Sequence, residues 1–171
     1  RRLSQSVYRK EDVAVPRGRT YWMVASTLEN FRITQNMGFT LQGLMSRQRR
    51  KAQRMEPGDR LVYYITGVQR FGATATVTSQ CFEDHDPIWK SNGRPDDYPW
   101  RVNVEANAVL EDPSFLDARE IGPRMEYVKR WPPEYWPLAF QGNLHILPKS
   151  DFELLEQEMT KIVASGANGA R

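Results

Sequence analysis

Arg47, Arg49, Arg50, Lys51 and Arg54 fall within eight consecutive positions that hold no acidic residue. A cation cluster of this density serves one of two ends: it neutralises phosphates, or it forms the solvated face of a helix. Aromatic residues supply the other half of nucleic-acid chemistry, because every base has a face that stacks. Of the five tryptophans, Trp22 and Trp100 stand in apolar, strand-like runs and suit a core. Trp89 stands in the polar stretch DPIWKSNG, and Trp131 in KRWPP, between two cations and two prolines. Trp131 suits either a lid over a barrel or the wall of an aromatic cage. Ser26, Thr27 and Asn30 stand where the first apolar run ends. Thr27 is placed to cap a helix. Ser26 or Asn30 is suited to test the edge of a base, since a carboxamide presents both a donor and an acceptor.

Catalytic chemistry is poorly provided for. The chain has no Gly-rich phosphate loop, no GxSxG and no HExxH. Glu83, Asp84, His85 and Asp86 are adjacent in a loop-like stretch, and neighbours in sequence rarely converge on one metal. Cys81 and His85 are too close along a loop to serve readily as nucleophile and base. The single cysteine and two separated histidines do not match a structural zinc pattern. The expectation is no catalytic residue, no metal and no cofactor. A lone cysteine accords with a reducing, cytoplasmic compartment, and no apolar run is long enough for a membrane span. The net charge of +3 does not by itself indicate nucleic-acid binding, so the local clustering carries that argument. Two other classes stay open: a protein-interaction module using the aromatic, proline-rich 131–137 stretch, and a small hydrolase.

The 171 residues suit one domain. Residues 1–19 read as a flexible arm or remnant, 20–164 as the domain and 165–171 as a frayed tail. Tyr21 to Ser26 reads as a buried first strand. A helix follows from Leu28 to about Met37 and ends at Gly38. Phe39 to Met45 reads as a connection, and Ser46 introduces a basic helix over Arg47 to Arg54. Glu56-Pro57-Gly58-Asp59 is a turn. Arg60–Thr66 and Phe71–Ser79 form a hairpin, and Trp100–Leu110 is a long strand. The connection over residues 80–99 is long enough to suggest function. Asp117 to Val128 reads as short helix and loop, and Phe140–Leu147 holds the last strand or a turn. Ser150 and Glu153 form a capping box for a final helix over Asp151–Ala164. Strand, helix, several strands and a closing helix, with few crossovers, make an α+β domain around a small, mostly antiparallel barrel.

These stretches resemble the EVE domain family, which is related to PUA and YTH domains and to the thymocyte nuclear protein. The resemblance is carried by Tyr21-Trp22-Met23-Val24, by the segment Gly38 to Leu44, by Pro57-Gly58-Asp59-Arg60-Leu61-Val62-Tyr63-Tyr64, by Tyr98-Pro99-Trp100-Arg101-Val102, and by Leu147-Pro148 before the last helix. It spans roughly residues 20 to 163. It implies a PUA-like mixed, mostly antiparallel β-barrel with peripheral helices. It also implies nucleic acid as partner, DNA or RNA, read through a pocket for a modified base such as a modified cytosine. In such folds the pocket lies between the first helix, the connection after it and the loop before the later strand, which here means Ser26, Thr27, Asn30, Phe39, Thr40 and Trp89, with Trp131 in reserve. Trp89 resembles, by its order in the chain, the later cage tryptophan of YTH domains. Where those relatives carry a first tryptophan, this chain has Thr40 with Phe39 beside it, so either Phe39 takes that role or the cage is half built. Stacking one base on an aromatic ring contributes about 1–3 kcal/mol and burying one methyl roughly 0.8 kcal/mol. Polar contacts to the base edge must therefore supply much of the discrimination.

Overall fold

The computed structural model describes residues 18–95 and 97–166. Residues 1–17 of the expected arm and 167–171 of the expected tail lie outside the described residues. The elements in chain order are β1 (Tyr21–Ser26), α1 (Leu28–Asn36), β2 (Leu41–Leu44), a 3₁₀ turn (Ser46–Gln48), α2 (Arg49–Ala52), β3 (Arg60–Ile65), β4 (Arg70–Val77), β5 (Phe82–Glu83), β6 (Lys90–Ser91) and β7 (Arg94–Pro95). Then come β8 (Trp100–Val109), β9 (Leu116–Asp117), α3 (Ala118–Ile121), three 3₁₀ segments between Gly122 and Phe140, β10 (Leu144–Leu147) and α4 (Lys149–Ala164). Among the described residues no helix is long and apolar enough to cross a membrane.

The main sheet runs in the order β10-β1-β3-β4-β8-β2, with β5 added beside β8 and β9 beside β4. Among the described residues only β1 and β3 pair in parallel, Trp22 opposite Leu61 and Val24 opposite Tyr63. The other pairings are antiparallel. This is the mixed, mostly antiparallel, curled sheet with peripheral helices that the sequence led us to expect, and Tyr21–Ser26 and Arg60–Ile65 are its inner strands. The curl brings the two edges together. The Met45 N–H donates to Asn143 Oδ1 at 3.4 Å and Lys51 Nζ donates to Leu144 O at 2.9 Å, so side chains bridge β10 and the end of β2.

Both faces of the central strands are buried, which explains why β1 and β3 read as continuous apolar runs and not as alternations. Trp22, Val24, Leu61, Tyr63 and Ile65 enter the inner cluster, together with Phe31 of α1. Met23, Ala25, Val62 and Tyr64 enter the outer one, where Phe152, Leu155 and Met159 of α4 cover the sheet. Bulges between Tyr63 and Tyr64 and between Ala73 and Ala75 tighten the bend, as bulges do.

Several local expectations change. Phe39–Met45 is not a free connection: Leu41–Leu44 pairs with β8, Leu41 opposite Asn103 and Leu44 opposite Trp100. Leu41-Gln42-Gly43-Leu44 lacks the β-branched residues that mark a strand, so the partner strand decided it. Ser46 does not cap the basic segment, which begins as a 3₁₀ turn after Met45 and has only one short α-helical stretch. Ser150 lies inside α4, whose cap position is Pro148 without a side-chain bond. The first-turn carboxylate of α4, Asp151, instead accepts the backbone N–H groups of Glu126 and Tyr127, both at 2.8 Å.

Asp59 organises the start of the barrel. It is 2% exposed and accepts from Trp22 Nε1 and Thr20 N, both at 3.0 Å, and from Glu56 N at 3.1 Å. One carboxylate thus ties the turn before β3 to β1 and supplies the indole N–H with its acceptor inside the core. Asp59→Ala leaves these donors without it and should cost about 3 kcal/mol, read as a lower urea midpoint at unchanged slope. On β10, burial holds His145 below the ordinary histidine range, and its Nδ1 lies 2.8 Å from the Tyr127 hydroxyl. The unfolded chain therefore takes up this proton first, and stability should fall as pH drops through the ordinary histidine range. His145→Gln should remove that part of the pH dependence in parallel urea titrations; an unchanged profile would clear His145 of the effect.

Candidate nucleic-acid interface

A cavity of about 310 Å³ opens where β1 ends, and Ser26, Thr27, Asn30, Thr34, Gln42 and Trp89 are among its lining residues. Its position follows from chain direction. β1 delivers Ser26 to the rim, and Thr27, in extended conformation, turns the chain into α1 while its Oγ accepts from Asn30 N at 3.2 Å. The opposite side is built by β2 and by residues 89–92 and 98 of the long connection.

That connection is pinned by buried polar side chains. Asn30, 4% exposed, accepts from Lys90 N at 2.9 Å and donates to Lys90 O at 2.8 Å, and its amide also reaches the Tyr98 hydroxyl at 3.4 Å. Trp89 Nε1 donates to Thr34 Oγ1 at 2.9 Å. Arg101, 1% exposed, donates to Tyr98 O at 3.0 Å and to Asp86 O, lies 3.4 Å from Asp84, and holds its guanidinium 5.2 Å from the Trp89 ring centroid. The acidic run 83–86 is thus partly consumed as structure. His85, fully exposed, bonds Glu83 at 2.8 Å and Asp97 at 3.1 Å; these carboxylates raise its pKa.

The residues expected at the pocket divide. Ser26, Thr27, Asn30 and Trp89 come together. Phe39 does not: it is 3% exposed and packs 5.5 Å from both Phe31 and Tyr63 in the inner core. Gly38 and Phe39 both take positive φ, 73° and 52°, and this left-handed turn out of α1 sends the Phe39 ring inward. Thr40 is exposed and its hydroxyl donates to Met37 O at 2.8 Å, closing the same turn away from the cavity. Trp131 lines a different cavity of about 380 Å³, with Trp136, Pro123 and Pro133. The two-walled cage is therefore absent from this arrangement. Trp89 is 1% exposed and forms a backing wall instead of an open stacking face. Asn30 is spent on Lys90, which leaves Ser26 as the unengaged group of the expected pair: its Oγ is buried without a partner.

Sequence reasoning missed Gln42, Thr34 and Tyr98. Gln42 was hidden by reading its segment as a loop. Tyr98 stood in plain view in the Tyr98-Pro99-Trp100 motif but was read only as the opening of a strand. Gly43 also has a definite role: a Cβ there would stand 2.3 Å from Trp89 Cζ3, so only glycine lets the indole lie against β2.

The basic cluster divides as well. Arg47 lines the cavity. Arg49, Arg50 and Arg54 are exposed, with the Arg49 guanidinium 5.4 Å from the Trp100 ring centroid. Lys51 is half-buried and ties α2 to β10 by donating to Leu144 O, so one of its donors is already used. Burial pushes the Cys81 thiol up, the direction that suppresses its thiolate.

The backing wall gives a direct test. Gly43→Ala should displace Trp89 and cost about 1–3 kcal/mol, with a change in tryptophan emission. Full native stability in that variant would show that the wall has room to give.

The EVE domain family model matches residues 20–133. A UPF0310 protein of Pyrococcus abyssi is 23% identical over 146 residues, covering 80% of this chain and 97% of that protein. Three solved structures share the fold. The Mmi1 YTH domain in complex with RNA superposes at a TM-score of 0.64 and 9% identity, over 90% of this chain and 85% of its own. The Pho92 YTH domain in complex with m6A gives 0.61 and 13%, over 85% and 88%. The human THYN1 protein in complex with 5-methylcytosine-containing DNA gives 0.54 and 15%, over 82% and 97%.

Proposed function

The chain belongs to the EVE domain family, and from that premise we propose that it is a nucleic-acid reader that takes one modified base into the cavity at the end of β1 and performs no catalysis on it. The observation that carries this reading is a polar cavity with unpartnered buried groups opening beside Arg47, next to the exposed Arg49 and Arg50. Phosphate contacts position a strand without reading it; the cavity supplies what they lack. An extruded base needs a slot, polar groups for its edge and apolar surface for its faces, and the cavity offers the polar groups of Ser26 and Gln42 with Met45 and Trp89 close by. The solved relatives in complex with RNA, m6A and methylcytosine DNA support the same ligand class for this chain. A cytoplasmic location accords with the free Cys81 thiol.

A second reading rests on Trp131 and Tyr135, 40% and 57% exposed, beside the cavity under Trp136 and Pro133: a docking surface for an extended peptide. Salt separates the two. Nucleic-acid binding through arginines weakens steeply with salt, whereas an apolar peptide contact does not.

The test is a titration of modified and unmodified oligonucleotides at several salt concentrations. Replacing Arg47, Arg49 and Arg50 together by Ala should weaken binding to both and lower the salt slope by about 2 to 3, from roughly 0.7–0.9 per lost phosphate contact. Ser26→Leu, which intrudes on the cavity, should abolish the preference for the modified oligonucleotide and keep the slope. An unchanged slope in the triple variant would reduce the arginines to a solvated face.

A further inference from the structure

The polar groups around the cavity differ in how much of their hydrogen bonding is already used. Asn30 gives both its acceptor and its donor to Lys90. Thr27 Oγ accepts from Asn30 N, and Thr34 Oγ1 accepts from Trp89 Nε1. Asn143 donates from its amide to Ala25 O at 3.1 Å and accepts from Met45 N. Gln42 is different. It is 4% exposed, its Nε2 donates to Gly43 O at 2.8 Å, and its Oε1 is buried with no partner. The bond to Gly43 fixes the carboxamide the right way round: the nitrogen must face a carbonyl, so the oxygen is the atom left without a partner. Ser26 Oγ is the second buried, unpartnered atom among the lining residues. Buried polar atoms in native proteins are almost always bonded; among the described residues the other unpartnered ones belong to Arg60, Tyr63, Arg101 and His145, which do not line this cavity, whereas Gln42 and Ser26 both do.

We propose that Gln42 is the specificity-determining residue of this cavity: its Oε1 accepts an N–H from the exocyclic amino group of the inserted base, and the Ser26 hydroxyl donates to the adjacent ring nitrogen. This deepens the base-reader function and rests on it. The chemistry selects cytosine-type and adenine-type bases, whose pairing edge places an amino donor beside an unprotonated ring nitrogen. The ring N–H of uracil or thymine lies between two carbonyl oxygens, which bring like partial charge against the fixed acceptor. Guanine places a second N–H beside its amino group, where the Ser26 hydroxyl must give up its donor role. A site built to bond a group rejects the analogue that lacks it, because its own polar atoms are then left unpaired. A methyl on the ring, or one on an amino group that keeps one N–H, leaves this contact intact, so the same residue serves modified and parent bases.

The experiment uses the full chain and fluorescence anisotropy. The probes are oligonucleotides carrying one 5-methylcytosine, one adenine, one N6-methyladenine, the desamino analogues 5-methylpyrimidin-2-one (of 5-methylcytosine) and purine (of adenine), one thymine, or an abasic site. For wild type, removing the amino group from the better-bound base should weaken binding about tenfold, and the cytosine and adenine arms identify the ring. Gln42→Met, close in volume and without polar atoms, should bind amino and desamino probes alike. Ser26→Ala, a smaller change that keeps the fold even if Gln42→Met loses it, should weaken amino and desamino probes alike by about threefold, because both keep the ring nitrogen. An amino-dependent ratio that survives Gln42→Met, or thymine bound by wild type as tightly as the amino bases, overturns the role of Gln42, and unchanged binding in Ser26→Ala overturns that of Ser26. If the abasic probe binds as tightly as every base, no base enters the cavity, and it is the underlying reader function that fails.

Discussion

The Asn30 side chain bonds both backbone groups of Lys90, and the cavity depends on that pair of bonds. Together with the Trp89–Thr34 bond, they fix the connection between β4 and β8 against the first helix and so build the second side of the opening at the end of β1. The Asn30 side chain is buried, and a carboxamide matches a backbone N–H and C=O with one donor and one acceptor. Asn30 does not reach a ligand in this arrangement. It is a positioning residue whose work is to hold the far side in place.

The remaining pins act on the same connection. Thr34 takes the indole N–H of Trp89, and Arg101 spans Tyr98 O, Asp86 O and Asp84 with its guanidinium against the indole. A buried arginine is costly unless it is paired and bonded, and here its partners all belong to the connection. The charge stabilises a loop that has little regular structure of its own. Gly43 completes the arrangement by giving up the volume that the indole occupies. The result is a polar recess with an aromatic backing, a different thing from an open aromatic cage. In such a recess selectivity would shift from stacking toward the hydrogen-bonding edge, which is why the proposal rests on Gln42 and Ser26.

The electrostatic side of the molecule is divided between fold and surface. Arg60 bonds Glu156 of α4 and Lys51 ties α2 to β10, so the donors of these two cations are already partly used. Arg47 at the recess and the neighbouring Arg49 and Arg50 are exposed, and in the proposed function these are the cations that would meet the strand whose base turns inward.

The sequence by itself determined the framework. Its long apolar runs, the Pro57-Gly58-Asp59 turn, the helix ending at Gly38 and the basic segment are local signals with local physical causes, and they specified the inner strands, the first and last helices and the mixed sheet. It also determined that Ser26, Thr27 and Asn30 stand at the end of the first strand, because a strand followed by a capped helix leaves them nowhere else. Tertiary structure decided the rest. Leu41–Leu44 is a strand because β8 accepts it, not because its residues favour one. Phe39 points inward because it and Gly38 make a left-handed turn, while Thr40, one position on, faces solvent. Trp89 became a backing wall, Asn30 a pin and Lys51 a clasp through partners 55, 60 and 93 positions away. Which polar atoms remain unpaired, and so are left for a ligand, depends on which others have already been satisfied. That accounting closes only when the whole chain has folded.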